Sequence, residues 1–218
     1  MGETTCDLPE LLGGRLCLDF VNTIHHRFRP VSRDHLRDYG SWLRWCAHAG
    51  ALSSDEADQL ATLARSGPGL GERAFDRVLV FRTTAHRIVT EHMAVGGATE
   101  DLVTQLNELL ILSAPLRHIA PASGSYWRWS WRDRPLNLDR PLYAVARSLA
   151  DLLATAPRER LKECPAPDGC GWLFLDETRN GSRRWCSMNH CGTTSKVRRY
   201  LGRKREAAAT TDLAVREA

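Results

Sequence analysis

The chain has 218 residues, 43% of them apolar and 26% charged, a composition typical of a globular protein with a buried core and not of a disordered one. It contains no apolar run long enough to span a membrane and no amino-terminal secretion pattern, which predicts a cytoplasmic protein without a membrane partner. The formal net charge is only +4, so its distribution along the chain carries more information than its total.

Helical patterns dominate residues 1–157, which we expect to form a mainly helical domain. The segment Leu16–Thr23 follows a Gly13-Gly14 turn signal, and its loose alternation fits either a strand or the start of a helix. Five later segments repeat apolar residues at helical spacing. They run over 39–49, from Ser53 or Ser54 to the stop at 67–69, over 75–93, over 99–112 and over 141–153.

One segment of this domain has the period of a strand. Trp127, Trp129 and Trp131 alternate with polar residues, which predicts a half-buried strand, and Ile119 is expected in its hairpin partner. Because tryptophan is usually well buried, we expect this stripe to pack into the core and not to form an aromatic ligand platform.

Four of the seven cysteines form two pairs in the last third of the chain, after a charged connector at 158–163. An odd number of cysteines without secretory features argues against disulfides. Two thiolate pairs brought together by folding suit the tetrahedral coordination of zinc, and four protein ligands make the metal structural. The predicted ligands of this single zinc ion are Cys164, Cys170, Cys186 and Cys191.

Some alternatives for this cluster stay open at this stage. His190 could replace Cys191 as the fourth ligand, although an all-thiolate site needs no oriented imidazole. An iron–sulfur cluster, or four cysteines that are simply buried or redox-active, would also fit the sequence.

The residues around the cysteines predict a treble-clef-like finger over 158–206. Asn180-Gly181 is a hairpin signal between Leu173–Leu175 and Arg183–Trp185, and a helix is expected from Gly192 onward. The tail at 207–218 is expected to fray. The predicted fold is therefore mainly α with small β elements (α+β), a helical domain followed by a zinc finger.

The finger is strongly basic. Residues 179–205 hold nine basic side chains and no acidic one, which indicates an anionic partner, double-stranded DNA first. On the last helix, Val197, Tyr200 and Leu201 are expected to pack on the finger and leave a cationic outer face. The candidate nucleic-acid contacts are Arg179, Arg183, Arg184, Lys196, Arg198, Arg199, Arg203, Lys204 and Arg205.

The helical domain offers one compact polar group beside an apolar segment. Asp19, Asn22 and His25 form a candidate ligand pocket for a small-molecule effector. Asp and Asn also make capping and turn hydrogen bonds very often, and this second interpretation needs no ligand.

Two segments of the chain resemble a known family. Leu18–Thr23 (Leu-Asp-Phe-Val-Asn-Thr) resembles the opening motif of the ABATE domain. Arg184–Met188, Cys191-Gly192 and Lys196–Arg199 resemble the CGNR-type zinc finger that usually follows that domain. The resemblance spans nearly the whole chain and implies a DNA-binding finger joined to a largely helical domain, as in bacterial stress-related transcriptional regulators.

The sequence departs from this pattern at one point. Thr193-Thr194 stand where the family has Asn-Arg. The resemblance then implies that metal binding is kept, whereas any contact made by that Arg is lost or moved to Lys196 or Arg198.

These observations predict a zinc-dependent transcription regulator that binds DNA, responds to an effector and could form a homodimer. A second hypothesis is a small-molecule enzyme with Asp19 or His25 as a base, but the sequence shows no nucleophile motif or phosphate loop. A third is an RNA-binding or protein-binding module. We expect the protein not to be an enzyme.

Overall fold

The computed structural model describes residues 8–25, 32–122, 126–132, 136–165 and 170–216, with side chains as far as Lys204. Its helices are α1 Leu16–Val21, α2 Tyr39–His48, α3 Ser54–Arg65, α4 Leu70–Val95, α5 Glu100–Ser113, α6 Arg140–Thr155 and α7 Thr193–Arg216. Its strands are β1 Ile24–His25, β2 Arg33–Asp34, β3 Arg117–Pro121, β4 Trp127–Trp131, β5 Leu161–Glu163 and β6 Leu173–Leu175. This architecture, helical with small antiparallel sheets, is the predicted fold class.

The ambiguous segment after Gly13-Gly14 is a helix, α1. Five of its six residues are buried, because α1 lies at the centre and contacts α4, α6 and β6. A short helix that is covered on all sides has no polar face, which explains why its period could not be read from the sequence.

The longer helices begin where the capping chemistry of the sequence places them. Asp38 accepts a hydrogen bond from the Ser41 backbone N–H at 2.6 Å, and Ser53 and Glu56 form a reciprocal capping box before α3. The helix predicted over 75–93 is longer than expected. It begins after Gly69 and ends before Gly96, both of which adopt a left-handed backbone conformation.

The main core surrounds an aromatic cluster. The ring of Phe20 on α1 lies 5.1 Å from Trp42 and 5.8 Å from Trp45 on α2. The same core continues into the finger, because Leu161, Leu173 and Leu175 of β5 and β6 belong to it. The two halves of the chain therefore share one apolar core.

The tryptophan strand forms as predicted, with Ile119 of β3 opposite Trp129 of β4. It is not buried as predicted. Trp127 is 68% and Trp129 is 62% exposed, so the expectation that the stripe packs into the core was wrong. The base of the hairpin meets the helical body, where Trp131 lies 6.4 Å from Tyr143 of α6.

The strand pairing in the finger also differs from the prediction. β6 pairs with β5, Leu161 opposite Leu175, and not with Arg183–Trp185. Both leucines are buried in the main core, and this burial decides the pairing over the local turn signal. Gly181 still adopts a left-handed turn conformation, but the described chain after it forms no strand.

Helix α7 continues as far as Arg216, through most of the segment that we expected to fray. Three consecutive alanines at 207–209 favour this extension, because alanine has the highest helix propensity. Among the described helices, none combines the length and the apolar character that a membrane span requires.

Candidate metal centre and basic surface

The sulfur atoms of Cys164, Cys170, Cys186 and Cys191 all lie within 4.8 Å of one another, and all four residues are buried. The Sγ atoms of Cys170 and Cys186 are 3.6 Å apart, and those of Cys186 and Cys191 are 3.5 Å apart. Zinc–sulfur bonds of 2.3 Å in a tetrahedron place sulfur atoms roughly 3.8 Å apart. The cluster therefore fits one structural zinc ion.

Two structural units supply the ligands. Cys164 follows β5 and Cys170 precedes β6, and the Cys164 backbone N–H donates to Trp172 O at 2.8 Å. Cys186 and Cys191 come from the segment that leads into α7. There Ser195 Oγ donates to the Cys191 carbonyl at 2.7 Å and fixes the first turn of the helix against the metal site.

His190 is not the fourth ligand. Its side chain is 69% exposed and its Nε2 atom lies 3.4 Å from a carboxylate oxygen of Glu10, whereas Cys191 is buried within the cluster. The remaining three cysteines have different fates. Cys17 and Cys46 are buried in the main core, where free cysteine acts as a small apolar side chain, and Cys6 lies outside the described residues.

Arg183 was predicted to contact nucleic acid, but in the structure it connects parts of the protein itself. Its guanidinium stacks over the ring of Phe174 at 4.4 Å and donates to Leu12 O at 2.8 Å and Cys186 O at 2.6 Å. These contacts join the amino-terminal segment to the metal loop. Because its donors are used inside the protein, Arg183 drops out of the nucleic-acid contacts.

A partly buried ion pair that the sequence did not indicate holds the loop before Cys186. Lys162 Nζ donates to Asp176 Oδ2 at 2.6 Å and to the Arg183 carbonyl at 3.0 Å, and Asp176 also accepts from the Arg183 and Thr178 backbone N–H groups. Burial alone would raise the pKa of Asp176. The hydrogen bonds and the Lys162 charge outweigh burial and hold that pKa well below its usual range.

Asp19 and Asn22 do not line a shared pocket with His25. Asn22 makes two hydrogen bonds with the backbone of Leu173, as donor at 2.8 Å and as acceptor at 2.9 Å. Asp19 accepts from the Gly13 N–H at 2.7 Å, and burial raises its pKa to about 6. Both residues therefore have the hydrogen-bonding role that needs no ligand.

His25 lies elsewhere, with its ring 5.3 Å from Trp172 of the finger. It lines a cavity of about 560 Å³ between the amino-terminal segment and the metal loop. His35 and His190 line the same cavity, which also reaches the thiols of three metal ligands.

The outer surface of α7 differs from the predicted one. Val197, Tyr200 and Leu201 are 51%, 59% and 45% exposed, so they do not pack on the finger. The helix contacts the finger through the small side chain of Ser195, which is buried. At Gly202 the surrounding space is open, because a Cβ added there would meet no atom within 4 Å. The helix thus projects away from the body after its first turns.

The predicted basic residues of the finger divide by exposure. Arg205 lies beyond the described side chains, and Arg183 is engaged internally. The other seven are exposed. Arg179 and Arg184 lie in the loop before α7, and five lie on α7 among its apolar residues: Lys196, Arg198, Arg199, Arg203 and Lys204.

Comparison with known proteins identifies two family patterns in the chain. Residues 14–156 match a family described as "Putative stress-induced transcription regulator", the ABATE family. Residues 160–204 match the CGNR zinc finger. A search of curated proteins finds no match.

Proposed function

Because the chain belongs to the ABATE family, described as "Putative stress-induced transcription regulator", and carries a CGNR zinc finger, we propose that it regulates transcription by binding double-stranded DNA through α7. The observation that carries this proposal is the projecting, basic and partly apolar surface of α7, fixed at its start by the zinc site. The family assignment points to a regulator and away from an enzyme.

The charge on α7 is available to a partner. Among the described residues, no acidic side chain forms an ion pair with Arg184, Arg199 or Arg203. Unpaired, exposed cations of one sign repel one another, and phosphate groups relieve this repulsion while releasing counterions. Duplex DNA is therefore a better partner for this surface than another cationic protein.

The apolar part of the surface supports contact with bases as well as with phosphates. An α-helix fits the major groove, where arginine binds guanine edges and apolar side chains contact thymine methyl groups. Val197, Tyr200 and Leu201 lie between Lys196 and Arg203 on the solvent side of α7 and could make such contacts. The exposed pair Thr193-Thr194 stands at the start of the helix, and we assign the contact of the missing family Arg to Lys196 or Arg198.

The rest of the proposal concerns control of the finger. We assign residues 1–157 to regulation and 158–206 to DNA binding, although the two regions share a core. The cavity beside His25 supports a small-molecule effector, because a ligand there would touch the amino-terminal segment and the metal loop together.

Selection of bound fragments from a random DNA pool, with zinc content checked on the same sample, tests the proposal. We expect one enriched motif for the wild-type protein. The Arg199→Glu/Arg203→Glu variant should lose at least about tenfold in affinity with unchanged zinc content.

A matched control carries the same charge change on the helical body, where Arg44 and Arg65 are exposed on α2 and α3. The Arg44→Glu/Arg65→Glu variant should keep most of the affinity. Equal losses of DNA affinity in both variants would show that binding depends only on the overall charge of the protein. Unchanged affinity in the α7 variant would show that this helix does not contact DNA. An RNA competitor that displaces the DNA equally well would favour an RNA-binding module.

A further inference from the structure

The β3–β4 hairpin exposes an aromatic surface that the DNA-binding proposal does not use. Trp127 and Trp129 are 68% and 62% exposed on one face of the hairpin, next to Ile119 of β3 on the same face. Aromatic side chains of this size bury about 150–250 Å² each when covered. The patch therefore reaches the few hundred Å² that mark an interaction site on a soluble protein.

The hydrogen-bond pattern of the hairpin shows which backbone groups are free. Ala122 N donates to Tyr126 O at 2.9 Å and Arg132 N donates to Leu116 O at 2.6 Å, so the even-numbered residues of β4 face β3. The N–H and C=O groups of Trp127, Trp129 and Trp131 consequently point to the other side of β4. No strand among the described residues pairs with that side.

This edge has few of the features that normally prevent strand pairing, since Arg128 is the single charged residue of β4. β4 has the sequence Trp-Arg-Trp-Ser-Trp, without proline, lysine or an inward-pointing charge. An isolated two-stranded sheet is also marginally stable in water and gains from additional strands. Both properties favour the addition of another strand to β4.

The charges on β4 discriminate among the registers in which a second copy of the same strand could pair about its three central residues. The outward groups belong to odd-numbered residues, so a two-fold axis must pair odd residues with odd residues. An axis at Arg128 would place Arg128 opposite Arg128, and an axis at Ser130 would place Arg128 opposite Arg132, both unfavourable like-charge pairs. An axis at Trp129 places Arg128 opposite Ser130 instead.

We propose that the protein forms a homodimer in which β4 pairs antiparallel with β4 of a second copy, with the two-fold axis at Trp129. Trp127 then faces Trp131 of the other copy, and Tyr126 faces Arg132, an aromatic–cation pair. The two hairpins become one four-stranded sheet with a continuous tryptophan face. Arg117, whose guanidinium lies 4.3 Å from the Trp129 ring centre, already extends this face within each hairpin.

The first test is the mass of the zinc-loaded, full-length protein in solution without DNA, measured by sedimentation over a range of concentrations. We expect a reversible dimer. Trp129→Lys places two positive charges opposite each other at the axis and should raise the dissociation constant by about tenfold or more. Ile111→Lys changes a similarly exposed apolar residue, 71% exposed on α5, and should leave the dissociation constant unchanged.

The second test reports the register and does not depend on the stability of the lysine variant. In the proposed register the Cα atoms of the two Trp129 residues are about 5.5 Å apart, within the span of a disulfide. The two Trp127 residues are about 14 Å apart. Under mild oxidation, Trp129→Cys should therefore form a covalent dimer, whereas Trp127→Cys and the wild-type protein should not.

Several results would overturn the proposal. These are a protein that stays monomeric, a dimer that Trp129→Lys does not weaken, or equal cross-linking of the Trp127→Cys and Trp129→Cys variants. A monomer whose Trp129→Lys variant loses affinity for a single-stranded oligonucleotide would assign the aromatic face to base stacking instead. Because these measurements use no duplex DNA, their outcome is independent of the proposed function.

Discussion

Single polar residues in this protein make hydrogen bonds to distant parts of the chain that the sequence does not indicate. The Leu18–Thr23 motif is an example, because two of its three polar members, Asp19 and Asn22, bind backbone groups. Asp19 binds the Gly13 N–H, and Asn22 binds Leu173 of the finger. A polar motif beside an apolar helix can therefore connect two parts of a fold through hydrogen bonds to backbone.

Asp19 should make stability depend on pH. Burial raises its pKa to about 6, whereas an unfolded aspartate titrates near about 3.9. The protonated form therefore favours the folded state, and this contribution is present below about pH 4 and lost as the pH rises through about 6. Relative to the wild type, Asp19→Asn should gain about 2 kcal/mol in unfolding free energy between pH 4 and pH 7.

Thermal or denaturant unfolding followed by circular dichroism at both pH values measures this difference. Comparing two proteins at each pH cancels the effect of acid on the zinc site, which both share. Asp58→Asn, an exposed change on α3, should show no such pH-dependent gain. An equal gain in both variants would contradict the role of burial at Asp19.

At the scale of elements, β6 depends on contacts from both of its sides. β5 pairs with one edge, while the Asn22 side chain and the Gly13 carbonyl bind the backbone of Leu173 and Leu175 on the other. A side-chain amide thus completes the edge of a three-residue strand. This arrangement joins α1 directly to the metal site that β5 and β6 carry.

Asn22→Ala should cost about 2–4 kcal/mol of stability, because it leaves the buried N–H and C=O of Leu173 without partners. Asn22→Asp keeps an acceptor but loses the donor, and should be at least as destabilising. Asn107→Ala, an exposed change on α5, serves as the control in denaturant unfolding. A cost below about 0.5 kcal/mol for Asn22→Ala would show that water replaces the amide.

Features set by a short stretch of chain, such as metal ligands and helix caps, were predictable from the sequence. Which distant residues cover a given face was not. The four zinc ligands follow from cysteine spacing, and α2 and α3 follow from apolar period and caps, because both signals lie within a short stretch of chain. The period of β4 and α7 identified which residues share a face but not whether anything covers that face. The partner of β6 was missed because burial of Leu161 and Leu175 in a distant core outweighs a local Asn-Gly turn.

For the molecule as a whole, the shared core connects the helical region to the metal site. The leucines of β5 and β6 pack with the helical body, and Arg183 connects Leu12 to the metal loop. A change in the amino-terminal region can therefore reach α7 through the zinc site without a hinge between separate domains. A dimer through β4 would carry two fingers related by a two-fold axis, the arrangement that suits DNA sites with two half-sites.

Removal of zinc should consequently destabilise the helical body as well as the finger. Loss of the metal frees the Cys164–Cys170 loop and loosens the seating of Leu173 and Leu175, each worth about 1.5–3 kcal/mol when fully buried. Cys191→Ser should therefore lower the melting temperature of the main helical transition by roughly 5–10 °C. His190→Ala alters the exposed neighbour and should change neither zinc content nor melting. Melting of the helices at the wild-type temperature in zinc-free Cys191→Ser would instead show that the finger and the body fold independently.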